Sequence, residues 1–148
     1  SDALSVIPSS NVHYNVFSGY LKEMVVHLPE LQDKQSGHWY QLPVRKGEAG
    51  NYIESSCTAM FAYGIQHALD LGLVNGNSYN EAVKFAYRGL REYSIATVHD
   101  GYLTSKNVCK ATCIGNKSYY FKRGTQKGKA YGLASYIQFG RLFERTKQ

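Results

Sequence analysis

The chain has 148 residues, of which 43% are hydrophobic and 14% aromatic, ample for the core of an ordinary soluble domain. No apolar run approaches bilayer-spanning length, so no membrane segment is expected, and no charged-then-apolar leader opens the chain. Seventeen basic against 11 acidic residues leave a formal +6, much of it in the last third; a nucleic-acid reading would need a recognisable module, and Tyr119-Tyr120-Phe121-Lys122-Arg123 has none around it. A positive cleft also suits an anionic sugar through field focusing, and a solvated basic face remains open beside it. One domain over 1–148 is expected, with no nucleic acid and no membrane as partners. Its compartment, periplasmic or cytoplasmic, is left open.

In chain order, Ser9-Ser10-Asn11 offers helix caps, and Val12, Val16, Tyr20, Met24 and Leu28 recur at helical spacing, predicting a first helix over 12–35 that Pro29 kinks or divides. Ser36-Gly37 stops it. Residues 39–44 read as extended and 45–50 as a polar loop. Glu54-Ser55-Ser56 caps a helix that ends near Leu71-Gly72 and is apolar almost all round, with Cys57, Met60, Phe61, Ile65, Ala68 and Leu71 as its buried side; such a helix belongs inside a larger body. Asn75-Gly76-Asn77 turns the chain, and Ser78 with Glu81 has the spacing of a capping box. A third helix follows, with Ala82, Phe85, Ala86, Leu90 and Tyr93 on one face. Residues 98–123 lose all helical period, which is long for a loop in a compact domain: either a functional loop or a stretch left unanchored by an absent neighbour. The last helix is expected over 129–146, with Leu133, Tyr136, Ile137, Gly140 and Phe143 facing the core.

Two segments carry the chemistry. Gly37-His38-Trp39-Tyr40-Gln41-Leu42 and Gly50-Asn51-Tyr52-Ile53-Glu54-Ser55-Ser56 set a polar, aromatic strip at the entrance of the apolar helix, able to stack on a sugar ring and bond its hydroxyls. The candidate sugar-binding residues are Trp39, Tyr40, Gln41, Asn51, Tyr52 and Glu54. Each has a plainer alternative. Trp39 and Tyr40 would plug the end of a helix pair, Ser55 and Ser56 would cap rather than attack because no His and Asp set accompanies them, and a carboxylate at Glu54 suits a cap through the helix dipole. Asp2, Asp33, Asp70 and Asp100 read as solvated turn or cap residues. Three cysteines cannot all pair, and Cys109-x3-Cys113 lacks the second half of a zinc signature. The five histidines are scattered singly. No metal and no cofactor are expected, and of the histidines only His38 sits inside a motif of functional type.

The runs at 37–41, 51–56 and 59–64 resemble the G-x-W-Y-Q, N-Y-x-E-[SA]-S and A-M-F-x-Y-[GA] motifs of the unsaturated-uronyl hydrolases, glycoside hydrolase families 88 and 105. Weaker matches at Ile7-Pro8, Tyr119-Tyr120 and Lys127-Gly128 extend the resemblance over about residues 4–142. It implies an all-α fold, part of a ring of six helix pairs, an (α/α)6 toroid with short extended segments between helices. Two glycine-aromatic turns, at Gly37 and Gly101, lie 64 residues apart, and six such units need roughly 360 residues. The chain therefore resembles the last two or three units, the C-terminal portion of such a barrel. The implied activity is hydrolysis of unsaturated uronic acid or rhamnogalacturonyl oligosaccharides, in which an aspartate protonates the vinyl ether and directs water to it. That aspartate and the W-x-R-G-x-x-W segment belong to the front of the ring and have no match here, so the catalytic residue is unknown and the chain alone is expected to be incomplete for catalysis. The implied partners are an acidic oligosaccharide and either the front part of the barrel or a second copy of the chain. The alternative is a non-catalytic carbohydrate-binding or structural helical module that oligomerises. The resemblance makes Cys109 ordinary and Cys113 a departure, and a disulfide between them would require an oxidising compartment.

Overall fold

A computed structural model describes residues 1–97 and 100–146. Val98, His99 and Lys147, included in the readings above, lie outside the described residues. The chain opens with a short helix α1 (Asp2–Val6), then α2 (Tyr14–Val25) and α3 (Leu28–Leu31). The single helix expected over 12–35 is thus two, and Pro29 stands in the first turn of α3, where its missing N–H costs no hydrogen bond. A two-residue strand β1 (Trp39–Tyr40) leads into a 3₁₀ turn (Pro43–Arg45), which shortens the expected extended segment because Pro43 holds a helical φ. Strand β2 (Ile53–Glu54) pairs antiparallel with β1 and runs directly into α4 (Ser55–Asp70).

Helix α5 (Asn77–Tyr93) follows the turn at Gly76, whose φ of +113° favours glycine. The expected capping box does not form: Ser78 is inside the helix, and Glu81 pairs with Lys84 on its outer face. The stretch expected to be structureless is a set of short ladders. Strands β3 (Ile95–Thr97) and β4 (Leu103–Ser105) form one, and β5 (Val108–Cys109) and β6 (Thr125–Gln126) another, with α6 (Lys117–Phe121) between the latter two. Tyr119 and Tyr120, half-buried, lock the adjoining loop: their hydroxyls accept hydrogen bonds from the backbone N–H groups of Cys113 and Gly115. Helix α7 (Ala130–Arg145) closes the chain.

Helix α4 is the centre, packed on α2, α5 and α7. Its buried side is built from small residues, Ala59, Ala62 and Ala68 with Ser55 and Thr58, around Ile65. Small side chains let neighbouring backbones approach, and Gly64 lies against Val25 and Leu21 of α2. Leu21 and Val25, outside the predicted stripe, fill the α2–α3 side of the core together with Leu28. Of that stripe Leu28 is buried, while Val12, Val16, Tyr20 and Met24 face outward. Met60 is likewise 53% exposed. On α7 the core residues are Phe139, Leu142 and Phe143, whereas Leu133 and Ile137 are exposed; on α5, Ala82, Ala86 and Leu90 are buried and Tyr93 is exposed. Both flanks of the core, α2 and α7, therefore present apolar side chains that nothing among the described residues covers.

Candidate functional site

The β1–β2 ladder sets Trp39 opposite Glu54 and Tyr40 opposite Ile53, bringing the two motif segments together at the N-terminal end of α4. Trp39 is a core residue. It is 0% exposed, its indole N–H donates to the Leu28 carbonyl at 2.8 Å, and its ring meets Phe61 edge-on at 5.7 Å. A side chain with both faces packed has none for a pyranose, so its expected stacking role is corrected to packing.

Glu54 is also closed, at 2% exposed. One carboxylate oxygen accepts from Ser56 N–H at 3.2 Å, Ser56 Oγ at 2.7 Å and Cys109 N–H at 2.8 Å, and the other from Cys57 N–H at 2.5 Å. It is the helix cap, and through Cys109 it fastens β5 to α4. A carboxylate so buried and held by four donors is solvated by protein and presents no face to a ligand. Asn51 is spent similarly: its amide donates to the carbonyls of Leu42 and Arg45, and its oxygen accepts from Leu42 N–H and Tyr52 N–H. It ties the 43–51 loop.

Tyr40, Gln41 and Tyr52 stay partly open. Gln41 is placed by its backbone N–H on the Tyr52 carbonyl. The Tyr52 hydroxyl donates to Cys109 Sγ at 3.1 Å, and burial first, then that bond, push its ionisation far above the usual tyrosine range. Burial likewise raises the Cys57 and Cys109 thiols, and all three cysteines are free. Residues distant in sequence join this rim: Gln126 Nε2 and the Tyr131 hydroxyl both donate to the Cys109 carbonyl. No local signal marks them, because the β5–β6 ladder brings Gln126 here and the first turn of α7 brings Tyr131.

Behind the rim lies a buried polar chain that sequence reading found only in part. His38 Nδ1 is 3.0 Å from the Ser36 carbonyl and Nε2 is 2.6 Å from Ser94 Oγ, which is 2.7 Å from Ser55 Oγ. A carbonyl only accepts, so Nδ1 carries the proton and Nε2 accepts from Ser94, whose oxygen then accepts from Ser55. The chain runs one way, Ser55 to Ser94 to His38 to Ser36. Burial lowers the His38 pKa, consistent with a neutral ring. It is not a nucleophile set: Ser94 and Ser55 are each 0% exposed, and a carbonyl stands where a triad has its carboxylate. Its effect is to clamp the α4 entrance between the 36–38 turn and the end of α5. Ser105, opposite Ile95 in the β3–β4 ladder, keeps a buried hydroxyl with no hydrogen-bond partner among the described residues.

The clamp depends on two glycines. A Cβ on Gly89 of α5 would stand 2.0 Å from the Ser36 carbonyl oxygen, and one on Gly37, at φ +73°, 2.3 Å from the Phe85 carbonyl oxygen. The turn lies directly on the α5 backbone. Gly89 was visible in the sequence as a lone glycine inside a helical run, a mark of close packing. Asp33 braces the same turn; burial opposes its ionisation, but the Ser36 hydroxyl and N–H outweigh that and hold its carboxyl below the usual range. Among the described residues no group of three or more His, Cys, Asp or Glu could hold a metal ion, and no helix is long and apolar enough to cross a membrane.

The glycosyl hydrolase family 88 model matches residues 1–147. The fold is similar to a family 105 glycoside hydrolase of Clostridium acetobutylicum (C. acetobutylicum), with a TM-score of 0.84 and 26% identity, over 97% of this chain and 42% of that one. It is similar also to a possible family 105 member from Salmonella enterica, with a TM-score of 0.81 and 24% identity, over 99% of this chain and 37% of that one. Protein Atu3128 of Agrobacterium fabrum is 41% identical over 56 residues, 38% of this chain and 24% of its own length. The chain thus spans less than half of these relatives, and its fold is part of their (α/α)6 toroid. With its N-terminal α4 cap, its β1–β2 strip and nearly its whole length in register, the chain belongs to glycosyl hydrolase family 88.

Proposed function

We propose that the chain supplies two or three of the six helix pairs of a toroid hydrolase that removes an unsaturated uronic or rhamnogalacturonyl group from an acidic oligosaccharide, and that it builds one wall of the sugar site without providing the catalytic acid. In that reaction a carboxyl group protonates one carbon of the vinyl ether, water adds to the other, and the resulting hemiketal collapses to release the neighbouring sugar. The observation that carries the division of labour is the state of Glu54. The carboxylate best placed for the task spends both oxygens on four protein donors and cannot exchange a proton with a substrate without unmaking the helix cap. The wall is the half-open rim of Tyr40, Gln41 and Tyr52. The outward apolar residues of α2 and α7 are the faces that neighbouring helix pairs would cover.

The test is the absorbance of the unsaturated double bond in a 4,5-unsaturated uronyl disaccharide. The chain alone is expected to leave it unchanged while binding the sugar, and turnover that required only this chain would place the acid within it and sink the proposal. A second reading, a carbohydrate-binding module that oligomerises through the same flanks, is favoured if the chain sediments as a dimer and binds acidic sugar with no turnover in any combination with other helix pairs.

A further inference from the structure

The charge of this protein is concentrated in one excursion. Residues 106–129 hold seven of the 17 cations and no Asp or Glu; the other 124 residues carry ten cations and 11 acids. The whole positive excess therefore lies in the segment that leaves β4, forms β5, α6 and β6, and returns to α7. Seven like charges in 24 residues repel one another, and such a concentration destabilises a compact segment unless something opposes it.

The fold anchors this excursion over the entrance of α4. Cys109 N–H is held by Glu54, Ser55 N–H by the Asn107 carbonyl, and Phe121 packs on Gly50 of the 43–51 loop. Among the described residues, Lys117 alone of the seven cations has a carboxylate partner, Glu48 at 2.7 Å. Lys110, Lys122, Lys127 and Lys129 are exposed. Arg123 lies over the Tyr119 ring, donates to the Ala111 carbonyl and keeps its Nε without a partner. Elsewhere cations have carboxylate partners: Lys84 is paired with Glu81 and Arg45 with Glu48. The anion site is not the α4 N-terminus itself, which Glu54 already fills. It is the set of exposed lysines carried by the excursion anchored there.

We propose that residues 106–129 form a binding strip for the length of an acidic polysaccharide beyond its terminal sugar, so that the protein takes extended polyuronide chains in preference to short ones. The proposal rests on the reading of the rim as a sugar wall. Anchoring at that rim favours a glycan over a nucleic acid, because the aromatics among the cations are already engaged, Tyr119 under Arg123 and Phe121 on Gly50 beneath Lys117, and no base-reading module accompanies them.

The experiment measures binding of a long saturated oligogalacturonate, a short one, the methyl-esterified long chain and a single-stranded oligonucleotide of matched charge. The full chain is compared with its K110Q/K122Q/K127Q/K129Q variant and with a K84Q/R88Q/R91Q control. Expected are tighter binding of the long acid than the short one, loss of about tenfold in the four-lysine variant and not in the control, weakening by salt, and little binding of the ester. Equal affinity for long and short acids, an unchanged four-lysine variant, or an oligonucleotide bound as tightly as the glycan would each overturn the strip. Failure of the rim reading looks different: the unsaturated disaccharide would then fail to bind wild type and four-lysine variant alike, while the long chain still bound in a lysine-dependent way.

Discussion

The strip at 37–58 and the excursion at 106–129 exchange the roles their sequences suggest. The first is rich in Trp, Tyr, Asn, Glu and Ser and looks like a ligand surface, yet Trp39, Glu54 and His38 are among the most buried side chains in the molecule. The second has no periodicity and looks like filler, yet it holds the excess charge and reaches over the same helix entrance. Polar side chains gather where a buried helix begins because its first N–H groups need partners, and such gathering resembles a binding site in composition. Free charge is the better sign of an outward role, since an unpaired cation is rarely buried.

The comparison breaks most easily at Trp39. Trp39→Ala should lose about 3–5 kcal/mol of stability by denaturant unfolding, with sugar affinity of the folded fraction retained. A stable variant that lost only sugar binding would return Trp39 to the ligand face. Gly89→Ala comes next, at about 1–3 kcal/mol, because its Cβ would enter the Ser36 carbonyl and loosen the clamp. Glu54→Ala should cost about 1–3 kcal/mol, since it strands the donors of Ser56, Cys57 and Cys109; thermal melts beside Glu54→Gln, which keeps an acceptor, would separate cap from charge.

The clamp has a pH signature. The folded state holds His38 neutral below its ordinary pKa, and His67 shifts the same way through burial. The unfolded chain therefore binds protons that the folded one refuses, and stability present above about pH 6.5 should decline as pH falls below it. Denaturant midpoints measured between neutral and mildly acidic pH should show that slope, and His38→Gln should flatten it in part. The smallest effect belongs to the excursion: neutralising its exposed lysines should move stability by no more than about 0.5 kcal/mol, whereas a large loss would make them structural.

Helix existence was legible because burial imposes a period. The runs that became α4, α5 and α7 all carried one, and Glu54 was readable as a cap from its place before Ser55 and Ser56. The side each helix turns inward was less legible. Val12, Val16, Tyr20 and Met24 have the correct spacing for a core stripe, but the core lies on the Leu21 and Val25 side, the side of α2 that packs on Gly64 of α4. Ser94 and Ser105 carried no signal, being ordinary serines until the fold set Ser94 between His38 and Ser55 and Ser105 opposite Ile95.

What the sequence by itself determined was the family, the helical class and the incompleteness of the ring, because motifs, periodicity and length are local or additive properties. Only the tertiary structure decided which members of the aromatic strip face inward, that Glu54 is consumed by its donors, and that the segment carrying the lysines of 106–129 is anchored at the α4 entrance. Those outcomes depend on contacts between residues tens of positions apart, and a side chain's access to a ligand is set by what the rest of the chain lays over it.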